Sequence, residues 1–278
     1  MRVHYVEAGE GPTLLLVHGA LGDHRSWRRI IAPMATRYRV LVPDLPGFGR
    51  SEKPSRYPFT REAFAETLCD LLAGLRTPRA HIAGAGLGGT IALTLAADHP
   101  EWVDRLAALS CPVGDAPRSL GARLATVPVL GGLWFKQLVG RATFHGYFKR
   151  EVYAPGFAYD RRAVDDLFDA FDPPEARECA WRTLLRAESD LSGLDVKIPK
   201  VRAPTALLWG DRDRIPVSHG MRLARRIRGA RLEIIAQAAG APAEEQPEAT
   251  AAALHRHLRG DAEVTPRALP APEGHEER

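Results

Sequence analysis

Residues 81–93 read His81-Ile82-Ala83-Gly84-Ala85-Gly86-Leu87-Gly88-Gly89-Thr90-Ile91-Ala92-Leu93. They describe a short apolar strand, a glycine-dense corner and an apolar helix. That is the setting of a nucleophile elbow, G-x-S-x-G, where a strained strand-to-helix turn lifts a serine above a sheet for covalent catalysis. Here the spacing is Gly84-x-Gly86-x-Gly88, and glycine stands where the serine would. Glycine removes the Cβ penalty of such a turn. The side chain is lost, but the main-chain N–H groups of the corner remain. Thr90 lies one helical turn further on, and its hydroxyl is expected to bond the backbone of its own helix.

Four further stretches have residue types suited to a site. His18-Gly19-Ala20-Leu21-Gly22 follows an apolar strand. Asp44-Leu45-Pro46-Gly47-Phe48-Gly49-Arg50-Ser51 follows another, and its aspartate is expected to accept backbone N–H groups and fix the loop. Gly210-Asp211-Arg212-Asp213 and Glu245-Gln246-Pro247-Glu248 close the set. Their identity and order make the chain resemble the α/β-hydrolase fold superfamily, in the branch that carries a helical cap. The resemblance extends from the first strand to Leu258.

The resemblance implies an α/β architecture: a mostly parallel, eight-stranded-type sheet flanked by helices, with the cap inserted after the sixth strand. It makes His18 and Gly19 an oxyanion turn, with the N–H groups of Ala20 and Leu87 as donors. It places Asp213 where the family has its catalytic acid, beside Arg214 as a possible ion-pair partner. The family presents its histidine in a Gly-His pair five residues before the Glu of E-x-P. In this chain that segment is Ala238-Ala239-Gly240-Ala241-Pro242, and no histidine occurs between His219 and His255. Both the nucleophile and the base are therefore replaced by glycine, at 86 and 240.

The elements that must position these residues follow from periodicity. Residues 2–7, 13–18, 40–43, 79–84, 103–111, 203–210 and 231–235 read as strands, several continuously apolar as in a sheet covered on both faces. Helices are expected near 25–36, from an N-cap at Thr60 to about Leu75, and near 217–227. From 115 to 200 no strand alternates cleanly, and helical periodicity suits 118–140, 161–171 and 174–189. The expected organisation is a core of 1–114 and 201–259, a cap of 115–200 and a disordered tail of 260–278, where no periodicity survives. The cap holds most of the aromatic residues, including Trp134 as a pocket candidate.

The chain has 278 residues, a formal net charge of +4, 45% hydrophobic and 26% charged residues. This is an ordinary globular composition. The arginines are dispersed and not interleaved with aromatic residues, which argues against nucleic acid as a partner. Cys69, Cys111 and Cys179 have no metal-ligand spacing and form no disulfide framework, so neither metal nor cofactor is implied. Cys111, at the carboxyl end of a strand, is the one thiol expected at the pocket. No apolar run reaches bilayer length, and the N-terminus lacks a signal-peptide pattern. The expectation is a cytoplasmic protein with a small-molecule partner and no membrane partner.

Three functional readings follow. In the first, the fold is repurposed for non-hydrolytic chemistry (cyclisation, elimination, decarboxylation or isomerisation) on a small, apolar, oxygenated molecule. Bare N–H donors would steady an oxyanion, and Asp213, His24 or His145 would move the proton. In the second, the protein binds a ligand or protein partner without turnover. In the third, another nucleophile such as Cys111 sustains hydrolysis.

Overall fold

A computed structural model describes residues 1–117, 120–127, 130–188 and 191–260. Seven strands form one sheet: β1 (Tyr5–Ala8), β2 (Thr13–Val17), β3 (Arg39–Pro43), β4 (Ala80–Ala85), β5 (Val103–Leu109), β6 (Thr205–Gly210) and β7 (Arg231–Ile235). Their spatial order is β1-β3-β2-β4-β5-β6-β7, parallel throughout except for the antiparallel pair β1 and β3. The expected eighth strand is absent among the described residues.

Strand alternation divides the core in two. Leu14 and Leu16 point to one face, with Val40 and Val42, while Leu15 and Val17 point to the other with Leu41. Successive side chains of a strand must alternate in this way, and a strand covered on both sides is apolar at every position. Ile30 and Met34 of α1 (Arg28–Ala35) pack on the first face. The opposite face receives Phe64 and Leu68 of α2 (Arg61–Gly74) and Ile91 and Leu95 of α3 (Leu87–Asp98). Thr60 caps α2 by accepting the Ala63 N–H at 3.2 Å. Helix α3 is buried at ten of its twelve positions, which is why it reads as apolar on all sides.

Sheet order reverses between β2 and β4, since β3 follows β2 outward while β4 pairs on its other edge. Ligands bind open α/β sheets at the carboxyl ends of strands flanking such a reversal. Val17 of β2 lies opposite Gly84 of β4, so the 18–22 turn and the Gly86 corner leave the sheet side by side.

A helical insertion lies between β5 and β6, and so follows the fifth strand of this sheet, not the sixth. It contains α4 (Leu120–Ala125), α5 (Leu130–Leu133), a π-helical turn Trp134–Leu138, α6 (Arg141–Tyr147), a second π-helical turn Phe148–Val152, α7 (Arg161–Phe171), α8 (Pro174–Thr183), a third π-helical turn Leu184–Glu188, and α9 (Ser192–Lys197). The helix expected over 118–140 is thus broken into pieces. At Gly131 an added Cβ would stand 2.3 Å from the Ala125 carbonyl oxygen, so the chain folds back onto α4 at a distance only glycine permits. Residues 118, 119, 128 and 129 of that expected helix lie outside the described ones, as do residue 189 of the helix expected over 174–189 and 261–278 of the expected tail. After β6 the chain continues through α10 (Val217–Arg226), β7, α11 (Pro242–Glu245) and α12 (Pro247–Arg259), whose Leu254 and Leu258 join Ile30 and Met34 on the first face.

Candidate functional site

The strand–corner–helix at β4 and α3 is held by its glycines. A Cβ on Gly84 would lie 2.2 Å from the Gly88 carbonyl oxygen, and one on Gly88 would lie 2.2 Å from that of Val17. Helix and strands therefore approach more closely than any side chain allows. Gly86 differs. Its φ is +52° and ψ −116°, an unusual conformation, yet a Cβ there would meet nothing within 4 Å. A side chain there would be strained by the backbone but would find open space. Leu87 is the first residue of α3, so its N–H has no acceptor within the helix. In the facing turn the internal backbone bond runs from Gly22 N–H to the Gly19 carbonyl, leaving the Ala20 N–H outside it.

A cavity of about 640 Å³ opens over this corner, within the range of small-molecule sites. Gly19, Ala20, Gly86, Leu87, Asp213 and Gly240 line its floor, and Trp134, Phe135, Phe144 and Phe148 of the insertion line its roof. Seven of the residues singled out from the sequence thus meet at one place: Gly19, Ala20, Gly86, Leu87, Trp134, Asp213 and Gly240. Four do not line it, and each has a physical reason.

His18 is fully buried behind the turn. Its Nε2 accepts the Leu45 N–H at 3.0 Å, so its Nδ1 carries the proton and donates to the Gly19 carbonyl at 2.8 Å. Burial pushes its pKa down and keeps it neutral, a strut between two loops. His24 points to Asp44, with Nδ1 2.8 Å from Oδ1, and its ring packs on His4 at 5.1 Å. His145 lies across the insertion in a separate shallow pocket, 2.9 Å from Asp165 and 3.2 Å from the Tyr159 hydroxyl. Cys111 is fully buried against Gly89, and burial raises its thiol pKa far from the thiolate range. None of these four can act on a ligand in the cavity.

Asp44 accepts the N–H groups of His24 and Arg50, each at 2.8 Å, and both His4 and His24 rings. Burial alone would raise its pKa; the N–H bonds from Arg50 and His24 outweigh burial and hold it below the ordinary value. His4, His24 and Asp44 are the one grouping among the described residues with metal-ligand proximity. Their nitrogens and oxygens are already matched by hydrogen bonds within the trio, which accounts for the geometry without an ion. Thr90 donates to the Leu87 carbonyl at 2.7 Å, inside its own helix.

Asp213 lies on the loop after β6. Its Oδ1 accepts the Ile215 N–H at 2.9 Å, while Oδ2 is buried without a hydrogen-bond partner among the described residues. Burial lifts its pKa above the ordinary carboxylate value, with the Ile215 N–H opposing. The expected ion pair with Arg214 is not formed: Arg214 reaches Glu151 of the insertion at 2.6 Å. Across from Asp213, a Cβ on Gly240 would stand 3.9 Å from Oδ1 and 3.2 Å from the Val152 carbonyl oxygen, which also accepts the Gly240 N–H at 2.9 Å. The insertion has closed its backbone onto this glycine.

Ser110 is expected with Cys111 at the ligand-binding edge of the sheet, but its backbone conformation and the role of Glu245 go beyond the sequence. Glu245 accepts the N–H groups of Ala154 at 2.6 Å and of Ala239 at 2.8 Å, with that of Ala241 at 3.3 Å, tying the Gly240 loop to the insertion. Ser110 leaves β5 at φ +46°, lines the cavity and bonds the Ala239 carbonyl at 3.3 Å. Positive φ in a serine is uncommon, and no sequence periodicity reports it.

Comparison with known proteins agrees with this arrangement. The hydrolase YugF of Bacillus subtilis is 28% identical over 258 residues, spanning 88% of this chain and 89% of that protein. The 2-hydroxy-6-oxo-6-phenylhexa-2,4-dienoate hydrolase of Comamonas testosteroni is 28% identical over 255 residues, spanning 84% and 83%. The crystal structure of Cfl2 from Burkholderia cenocepacia superposes with a TM-score of 0.81 at 24% identity, covering 91% of this chain and 90% of that one, a likeness of fold. The profile described as Alpha/beta hydrolase family matches residues 14–253. The chain belongs to the alpha/beta hydrolase family.

Proposed function

We propose that this alpha/beta hydrolase family member carries out non-hydrolytic proton-transfer chemistry, an isomerisation or elimination, on a small apolar molecule bearing a carbonyl group. The observation that carries this reading is the Asp213 carboxyl: it lines the cavity, holds one oxygen without a partner, and has its pKa raised by burial. A carboxyl with a raised pKa holds its proton more readily and is suited to exchange it with a bound substrate. The N–H groups of Ala20 and Leu87 supply two donors for a developing enolate oxygen, and aromatic side chains exclude water above it. Glycine at 86 and at 240 leaves neither an alkoxide nor an imidazole, so an acyl-enzyme has no route through those positions. Because several relatives are named hydrolases, a second reading rests on Ser110, a strained hydroxyl beside Asp213.

The test is a survey of the purified protein against enolisable apolar ketones and enones in D₂O, following deuterium incorporation by NMR. Exchange catalysed by the parent and abolished by Asp213→Asn supports the proposal. Fluorophosphonate labelling of Ser110, with exchange unaffected by Asp213→Asn, would replace it with the second reading.

A further inference from the structure

Seven large hydrophobic side chains are exposed among the described residues, and five of them fall within fifteen residues of the insertion. They are Leu124, Val127, Leu130, Leu133 and Leu138, at 41–66% exposure. Leu124, Leu130, Leu133 and Leu138 sit on α4, α5 and the π-helical turn Trp134–Leu138, which pack against one another as one small unit, and Val127 follows α4. Scattered exposed leucines need no explanation, but a cluster on one surface marks an interaction site. The same unit faces inward through Gly121, Trp134 and Phe135, which line the cavity, and Leu124 is both exposed and part of the lining. The apolar surface is therefore continuous with the cavity wall.

The charge around it is one-sided. Although the chain holds 34 acidic residues, none occurs from Ala116 to Arg150, while Arg118, Arg123, Lys136, Arg141, Lys149 and Arg150 give this stretch six positive charges. Lys136 is paired with Glu178, and Arg141 with Asp165 and Asp169, all from outside the stretch. Arg123, on α4, and Arg150, which lines the same cavity as Leu124, are exposed and have no acidic partner among the described residues, whereas Lys149 lines the separate pocket of His145. Leucines that insert beside basic residues that meet phosphate are the chemistry of a surface lying on an anionic bilayer. A second copy seated on this same face would set like charge against like. Lying on a membrane requires no spanning helix, and no described helix is long and apolar enough to span one.

We propose that the α4–α5 face of the insertion docks on an anionic lipid surface, placing the cavity wall against the bilayer so that apolar ligands pass from the lipid phase. The experiment is co-sedimentation of the full-length protein with phosphatidylcholine vesicles with and without phosphatidylglycerol, across salt concentration. Binding should require the anionic lipid and weaken with salt. The exposed-site variant Leu130→Ser/Leu133→Ser/Leu138→Ser should lose about tenfold or more of it, and Arg123→Glu/Arg150→Glu should remove the preference for anionic lipid. Thermal melting of each variant checks that it folds; because the parent is compared on two lipid compositions, the outcome does not depend on the variants alone. No binding to anionic vesicles, equal binding to neutral ones, or unchanged binding by the folded serine variant would each overturn the proposal. Concentration-dependent self-association that the serine substitutions abolish, without vesicle binding, would overturn it in favour of a second copy.

Discussion

Rebuilding the two missing side chains, Gly86→Ser with Gly240→His, tests whether the site retains serviceable geometry. At Gly86 the cost is backbone strain alone, since a Cβ would meet nothing within 4 Å. A non-glycine residue in so sparsely populated a conformation costs about 1–3 kcal/mol. At Gly240 the Val152 carbonyl must yield by a few tenths of an ångström, because a Cβ would lie 3.2 Å away. Against this, an imidazole on a Cβ 3.9 Å from Asp213 Oδ1 would bring a ring N–H within reach of the carboxyl group. A hydrogen bond to a charged group contributes about 1.5–3 kcal/mol. The terms roughly offset, and the double variant should unfold within about 2 kcal/mol of the parent.

Activity should not divide the same way. In a serine protease, serine and histidine act as a unit, and removing either costs about 10⁶ in turnover. A misplacement of about 1 Å costs about 10². The double variant should therefore hydrolyse p-nitrophenyl butyrate about 10⁴-fold faster than the parent, with each single variant near background. Release of p-nitrophenol and fluorophosphonate labelling of the introduced serine are the assays. A double variant with the parent's cooperative melt and near-ultraviolet dichroism, yet inert and unlabelled, would refute the inference that corner, donors and Asp213 share a working arrangement. Equal activity in a single variant would refute the coupling.

Other consequences follow from burial. The folded pKa of Asp213 is raised, so the native state holds its proton more tightly than the unfolded chain, and stability is lost as pH rises through that value. Asp213→Asn removes this loss; in guanidinium melts its stability relative to the parent should climb from about pH 4 upward, and a pH-independent difference would contradict the assignment. Glu245→Ala strands the N–H groups of Ala154, Ala239 and Ala241 and should cost more than about 3 kcal/mol in urea unfolding. Burial pushes the Cys69 and Cys179 thiols up to about 12 and about 11, and Cys111 further. A thiol reagent at pH near 8 should leave all three untouched in the native protein and modify all three once it is unfolded.

The sheet was legible because a doubly covered strand has no freedom to be anything but apolar, as in Leu14-Leu15-Leu16-Val17. The corner was legible because backbone approaches of 2.2 Å at Gly84 and Gly88 exclude every other residue. Direction was not legible. His24 and His145 have the right chemistry, but nothing in a sequence says that one turns to Asp44 and the other to Asp165. Cys111 follows a strand that ends at Leu109, and the positive φ of Ser110 turns the chain so that serine, not cysteine, reaches the cavity. The long helix expected over 118–140 failed for a related reason: its periodicity is helical, but Gly131 lets the chain fold back where an uninterrupted helix would have continued.

The two glycines that stand for a nucleophile and a base are not equivalent. Space above Gly86 is empty, so glycine there relieves backbone strain but nothing packs into the place of a side chain. Space beside Gly240 is taken by the Val152 carbonyl, which accepts its N–H, while Glu245 binds Ala154 two residues further along the insertion. A side chain at 240 would push against that clasp. Glycine at 240 therefore has a structural use that glycine at 86 lacks: it lets the insertion settle onto the Asp213 loop and bury the carboxyl. The raised pKa of Asp213 depends on that burial. Glycine at 240 and the raised pKa of Asp213 are thus physically linked, since closing the insertion over position 240 leaves the carboxyl in surroundings that favour its protonated form.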